Sequence, residues 1–157
     1  MDYKLYRADA PRRAELKQII TDALAARDDI CFAYLFGSFV DGSEAFRDID
    51  VGVYFHSGDS RENVQNGIEL AVELTSKTAI EVDVRPLNEA PVTFVYTVLK
   101  GELIDNSDDD MRCRVTERTL RDYLGHAAIA GKGDEGDLVM NLDDLRAFCR
   151  TMAVPER

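Results

Sequence analysis

Two apolar runs, "CFAYLF" at residues 31–36 and "IDVGVYF" at residues 49–55, constrain this chain more than any other feature. Each is short and rich in β-branched or aromatic residues, and Gly37 stops the first, so both read as central strands of a sheet. Yet two carboxylates flank the first residue of the second run, Asp48 just before Ile49 and Asp50 just after it. Side chains alternate along an extended chain, so this pair projects from one face while Ile49 points to the other. Ionised carboxylates that close repel each other unless a cation sits between them. Hard oxygen donors of this kind suit Mg²⁺, which takes one or two carboxylates together with phosphate oxygens.

The rest of the chain supplies the elements that would surround such strands. Pro11 to about Arg27 carries Leu16, Ile19, Ile20, Ala23 and Leu24 at amphipathic helical spacing. Asp59 followed by Glu62 resembles a capping box, which predicts a helix to about Ser76 with Val64, Ile68, Ala71, Val72 and Leu74 as its apolar face. "AIEVDVRPL", residues 79–87, predicts a third strand with Val82 and Val84 on one face and Glu81, Asp83 and Arg85 on the other. A short helix is expected over Pro91 to Leu99, an edge strand at "GELIDN", and a helix capped by Ser107 running to about His126. Asp108, Asp109 and Asp110 fall in that helix's first turn, where its dipole favours negative charge. The domain is therefore expected over residues 1–130. Residues 131–157 read as the linker "GKGDEGD" and a short amphipathic helix with Leu138, Leu142, Leu145, Phe148 and Met152 on one side.

Composition narrows the function. No apolar run approaches the length of a spanning helix and the N-terminus lacks the features of a secretory signal, so a cytoplasmic protein is expected. With 30 acidic against 19 basic residues, the net charge of -11 disfavours a polyphosphate backbone, and direct nucleic-acid binding is not expected. Cys31, Cys113 and Cys149 are odd in number and widely spaced, which suggests small buried side chains rather than a disulfide framework or a zinc site.

The phosphate half of the site is expected at Gly37-Ser38. The pair follows a strand, Gly37 permits close backbone approach, and a helix beginning there would offer free N–H groups beside the Ser38 hydroxyl. Gly42 would relieve crowding at the end of that helix or serve a plain turn. Asp83 is the natural third carboxylate, able to bind a second metal or accept a proton, and fits an ordinary solvent-facing strand residue equally.

These residues together resemble the polymerase-β-like nucleotidyltransferase superfamily: an apolar strand, Gly37-Ser38, Gly42, Asp48-Ile49-Asp50 and Asp83 on a following strand. The small size and "EVDVRPLNEAPVTFVYTVLKGELIDN" look most similar to the minimal nucleotidyltransferases that act as antitoxins beside HEPN-domain toxins. The resemblance implies an α/β (α+β) fold, a small mixed sheet flanked by helices. It also implies transfer of AMP from ATP to a tyrosine hydroxyl of a cognate HEPN toxin, and a hetero-oligomer with that toxin. Gly37, Ser38 and Gly42 would bind the nucleotide; Asp48, Asp50 and Asp83 would be both catalytic and the ligands of two Mg²⁺ ions. The chain departs from the family pattern at Asp41, where many relatives have a basic residue, and at Arg47, where many have serine. Two other readings stand beside this one: an antitoxin that neutralises by binding alone, and a transferase acting on a small cationic molecule such as an aminoglycoside.

Overall fold

The computed structural model describes residues 4–56 and 58–129. In chain order the elements are β1 (Tyr6–Arg7), α1 (Ala10–Ala25), β2 (Ile30–Phe36), β3 (Ala45–Phe46), β4 (Ile49–Phe55), α2 (Ser60–Thr78), β5 (Val82–Pro86), α3 (Val92–Leu99), β6 (Glu102–Asn106) and α4 (Asp109–Ile129). The expected linker and amphipathic helix at 131–157 lie outside the described residues.

The main sheet runs β5-β4-β2-β6, with β2 antiparallel to both β4 and β6 and β4 parallel to β5. The two apolar runs are thus its central strands, and "GELIDN" is an edge strand, as the sequence predicts. Helices cover both faces. On one, Leu16, Ile20 and Leu24 of α1 and Leu70 and Leu74 of α2 pack with Leu35, Val51, Val53 and Phe55. On the other, Val95 and Val98 of α3 and Val115 of α4 pack with Phe32 and Tyr34. Burial on both sides is what makes β2 a continuous apolar run rather than an alternating one. The two-residue strands β1 and β3 form a separate ribbon, held by Tyr6 stacked on Phe46 with centroids 5.9 Å apart.

Three expectations need correction. On α2, Ala71 and Leu74 pack inward, but Val64, Ile68 and Val72 are exposed, and the helix buries Asn63, Gly67, Leu70, Leu74 and Thr78 instead. The reason is close approach to β5: a Cβ on Gly67 would sit 3.4 Å from Pro86 Cγ, so the helix turns its smallest residue, not its apolar stripe, to that strand. On α4 the cap is Asp108, whose carboxylate accepts the Met111 N–H at 3.0 Å. Ser107 is occupied elsewhere, its hydroxyl donating to the Ile30 carbonyl at 2.6 Å and its N–H to that of Cys31 at 2.9 Å. Among the cysteines, Cys31 is free and fully buried, whereas Cys113 is half-buried and disulfide-bonded. Cys149 lies outside the described residues.

Gly52 explains why a glycine interrupts the second apolar run. A Cβ there would lie 2.6 Å from Val98 Cγ1 and 3.3 Å from Leu87, so the absent side chain is what lets α3 sit down on β4. Gly52→Ala is expected to cost about 1–3 kcal/mol, the usual price of overpacking a filled core, read as a lower urea midpoint with an unchanged slope.

Candidate functional site

The register of the sheet assembles the site. Phe36 at the end of β2 lies opposite Asp50, and Asp50 lies beside Asp83 on β5. Asp48 directly precedes β4, whose Ile49 is buried and whose N–H donates to the Glu81 carbonyl at 2.9 Å. Asp48, Asp50 and Asp83 are each half-exposed, while the residues between them, Ile49, Val82 and Val84, are buried. The three carboxylates therefore emerge on one face, as strand alternation requires.

Gly37 closes the arrangement. Its φ of 81° is left-handed, and a Cβ on it would collide with Asp50 Oδ2, so glycine is required there twice over. Ser38 follows immediately at the head of a tight turn. The Gly37 carbonyl accepts the N–H groups of Val40 and Asp41, both at 3.1 Å, which makes a single helical turn rather than the expected helix. The turn ends because Asp41 accepts from the N–H and hydroxyl of Ser43, at 3.0 and 2.6 Å, and because Gly42 takes a φ of 94°. A Cβ on Gly42 would meet nothing within 4 Å, so it is the left-handed turn, not crowding, that calls for glycine there. Asp41 is fully exposed, and its hydrogen bonds with Ser43 hold its carboxyl below the ordinary value. The acid at the family's basic position is thus engaged with its own turn.

Electrostatics single out Asp50. Burial, then the neighbouring charges of Asp48 and Asp83, push its carboxyl up to about 6 from the ordinary 3.8. Arg85 partly offsets this: its guanidinium pairs with Asp83 at 3.0 Å and lowers the proton affinity of Asp50. Such a carboxylate set, strained by its own repulsion, fits a divalent cation, which would replace proton and guanidinium as the neutralising charge.

Two residues here escaped the sequence reading. Arg85 was assigned only to a strand face. Arg13, on α1, organises the turn after Gly37-Ser38: it donates to the carbonyls of Ala8, Phe39 and Ser43 at 2.9, 2.6 and 2.7 Å, with its guanidinium over Phe39 and Phe46. It lines a cleft of about 610 Å³ with Lys17, Phe39, Gly42 and Ser43. A second cleft, of about 410 Å³, opens beside Gly37 between Asp41, Thr97 and Lys100. No local sequence signal marks Arg13, because its partners are backbone carbonyls far along the chain.

The model of the polymerase beta nucleotidyltransferase family matches residues 18–110, more than half of the chain, and spans Gly37, Ser38, Asp48, Asp50 and Asp83. The chain belongs to that family. Three solved structures share the fold. A toxin–antitoxin complex with AMP-PNP is 23% identical at a TM-score of 0.58, covering 71% of this chain and 90% of the other. The tri-AMPylated HEPN toxin of Shewanella oneidensis with MNT antitoxin is 21% identical at 0.52, covering 75% and 88%. The toxin–antitoxin MntA-HepT is 20% identical at 0.51, covering 76% and 91%. No curated protein matches the sequence.

A testable consequence concerns pH. Because the folded chain raises the Asp50 carboxyl from 3.8 to about 6, the stability it contributes is fully present below pH 3.8 and is lost as pH rises through about 6. With chelator present, the melting temperature should rise by a few degrees from about pH 7.5 to about pH 5.5. Asp50→Asn should flatten that rise, and Mg²⁺ should raise the melting temperature more at the higher pH. Thermal unfolding of both chains across this window measures all three.

Proposed function

We propose that this chain is a Mg²⁺-dependent nucleotidyltransferase antitoxin that moves AMP from ATP to a tyrosine hydroxyl of a cognate HEPN toxin, in a cytoplasmic complex of the two proteins. The observation that carries this reading is the seating of Gly37 against the carboxylate of Asp50, with Asp48 and Asp83 alongside. That geometry puts a phosphate-accepting turn and a cation-accepting cluster at one spot. The solved structures support it by what they hold: a tri-AMPylated toxin in one, AMP-PNP in another.

In this reading Asp48, Asp50 and Asp83 hold two Mg²⁺ ions, which when bound supply charge neutralisation for the triphosphate and the departing pyrophosphate. The chain's own groups do the rest. The backbone at Gly37 and the Ser38 hydroxyl fix the triphosphate, and Arg13 keeps their turn in place. The incoming tyrosine oxygen bonds to the α-phosphorus, the bond from that phosphorus to the bridging oxygen breaks, and pyrophosphate leaves. Asp83, released from Arg85, accepts the tyrosine proton. Most of the catalysis is positioning and electrostatics, which suits a site with no covalent nucleophile.

The test is the intact mass of the partner protein co-expressed with this chain or with Asp48→Asn/Asp50→Asn. The partner should gain whole AMP units only with the unaltered chain, and single-turnover transfer should fall by at least about 10²-fold in the variant. A partner that co-purifies unmodified with both would mean neutralisation by occlusion. Arg13→Gln should leave the carboxylates intact yet weaken binding of an ATP analogue, measured by calorimetry, because the Phe39–Ser43 segment loses its clamp.

A further inference from the structure

At the far end of the same two strands lies a second group of donors. The pairing of β2 with β4 shifts between Ile30 and Phe32, so Cys31 is the extra residue of a β-bulge. His56 directly follows β4, and Asp108 caps α4. The Cys31 sulfur and His56 Nδ1 are 3.1 Å apart, and with an Asp108 carboxylate oxygen all three donor atoms lie within 4.8 Å of one another. Cys31 is the second residue of β2 and Gly37 follows its end, so about 20 Å of extended strand separates this group from the Gly37–Asp50 end.

We infer that Cys31, His56 and Asp108 form a binding site for a borderline transition-metal ion, Zn²⁺ by donor chemistry, with its fourth position open to solvent. Around a tetrahedral ion with bonds of about 2.0–2.3 Å, ligand atoms stand about 3.3–3.8 Å apart, so donors within 4.8 Å of one another need only a small adjustment of side-chain rotamers to meet one ion. A thiolate, an imidazole and one carboxylate are the wrong set for Mg²⁺ and the right one for zinc.

The frame is already built around these donors. The Cys31 carbonyl accepts the N–H groups of Ser107 and Asp108 at 2.9 and 3.1 Å, and the His56 N–H donates to the Asp29 carbonyl at 2.9 Å. One Asp108 oxygen caps α4, which leaves the other for a ligand bond. His56 is exposed and gives the ion its way in. A competing reading, a cysteine nucleophile activated by histidine, fails because Cys31 is wholly buried and nucleophilic attack requires an accessible thiolate. On binding, a sulfur–zinc bond forms and the thiol proton leaves to solvent. The ion then clasps the start of β2, the end of β4 and the start of α4.

Cobalt titration of the full-length Asp48→Asn/Asp50→Asn chain, in which the carboxylate cluster is disabled, tests this directly. One Co²⁺ should bind with a thiolate charge-transfer band and the intense visible bands of four-coordination, and Zn²⁺ should displace it. Adding Cys31→Ser should abolish the thiolate band. Because Cys31 is buried, His56→Gln at an exposed position is the second variant and should weaken affinity at least about tenfold. A spectrum without a thiolate band, a band that survives Cys31→Ser, or unchanged affinity in His56→Gln would overturn the inference.

Discussion

The pairing of β2 with β4 sets Phe36 opposite Asp50, and the chemistry of the molecule depends on that register. A slip by one residue would turn Asp50 into the core and bring Ile49, Val51, Val53 and Phe55 out to the other face. Those four side chains are fully buried against α1 and α2, each contributing about 1.5–3 kcal/mol by leaving water. A carboxylate that resists ionisation is therefore held in place by apolar burial on the opposite face. The unfavourable electrostatics at Asp50 and the favourable packing behind it are two sides of one strand.

Charge is arranged locally against the overall excess. The chain carries 30 acidic and 19 basic residues, yet the site is bracketed by two arginines with different tasks. Arg85 pairs with Asp83 and partly offsets the repulsion that Asp50 feels. Arg13 instead satisfies backbone carbonyls from Ala8 to Ser43 and ties α1 to the turn after Gly37. A guanidinium suits both tasks because its planar fork can serve several acceptors at once.

Much of this is legible because it is written in periodicity. The central strands show as unbroken apolar runs, alternation alone puts Asp48 and Asp50 on one face and Asp83 on the polar face of its own strand, and the register of β4 with β5 brings the three together. What could not be read depends on close approach in three dimensions. The apolar stripe Val64, Ile68, Val72 on α2 predicted the wrong face because the decisive residue is Gly67, where the helix meets Pro86. Ser107 is an excellent cap by type, but it is claimed by the carbonyl of Ile30, and the cap passes to Asp108. The helix expected after Gly37-Ser38 shrinks to one turn because Asp41 and Ser43 bond each other. Arg13 left no trace in the pattern, since carbonyl partners have no sequence signature.

The two ends of β2 show how one strand can present two unlike donor sets. Just past its last residue a glycine removes a side chain, so that backbone can press on a carboxylate; near its first, a bulge adds a residue, so that a thiol comes beside an imidazole. Donor type sorts divalent ions: thiolate and imidazole suit zinc, carboxylate and water oxygens suit magnesium. If magnesium fills the carboxylate site as proposed, softer donors kept at a distance favour it, because a mixed cluster would trap the wrong ion. The sheet sets that distance: a set of carboxylates alone gathers at one end, a thiol and an imidazole with one carboxylate at the other, and the length of β2 keeps any single ion from reaching both.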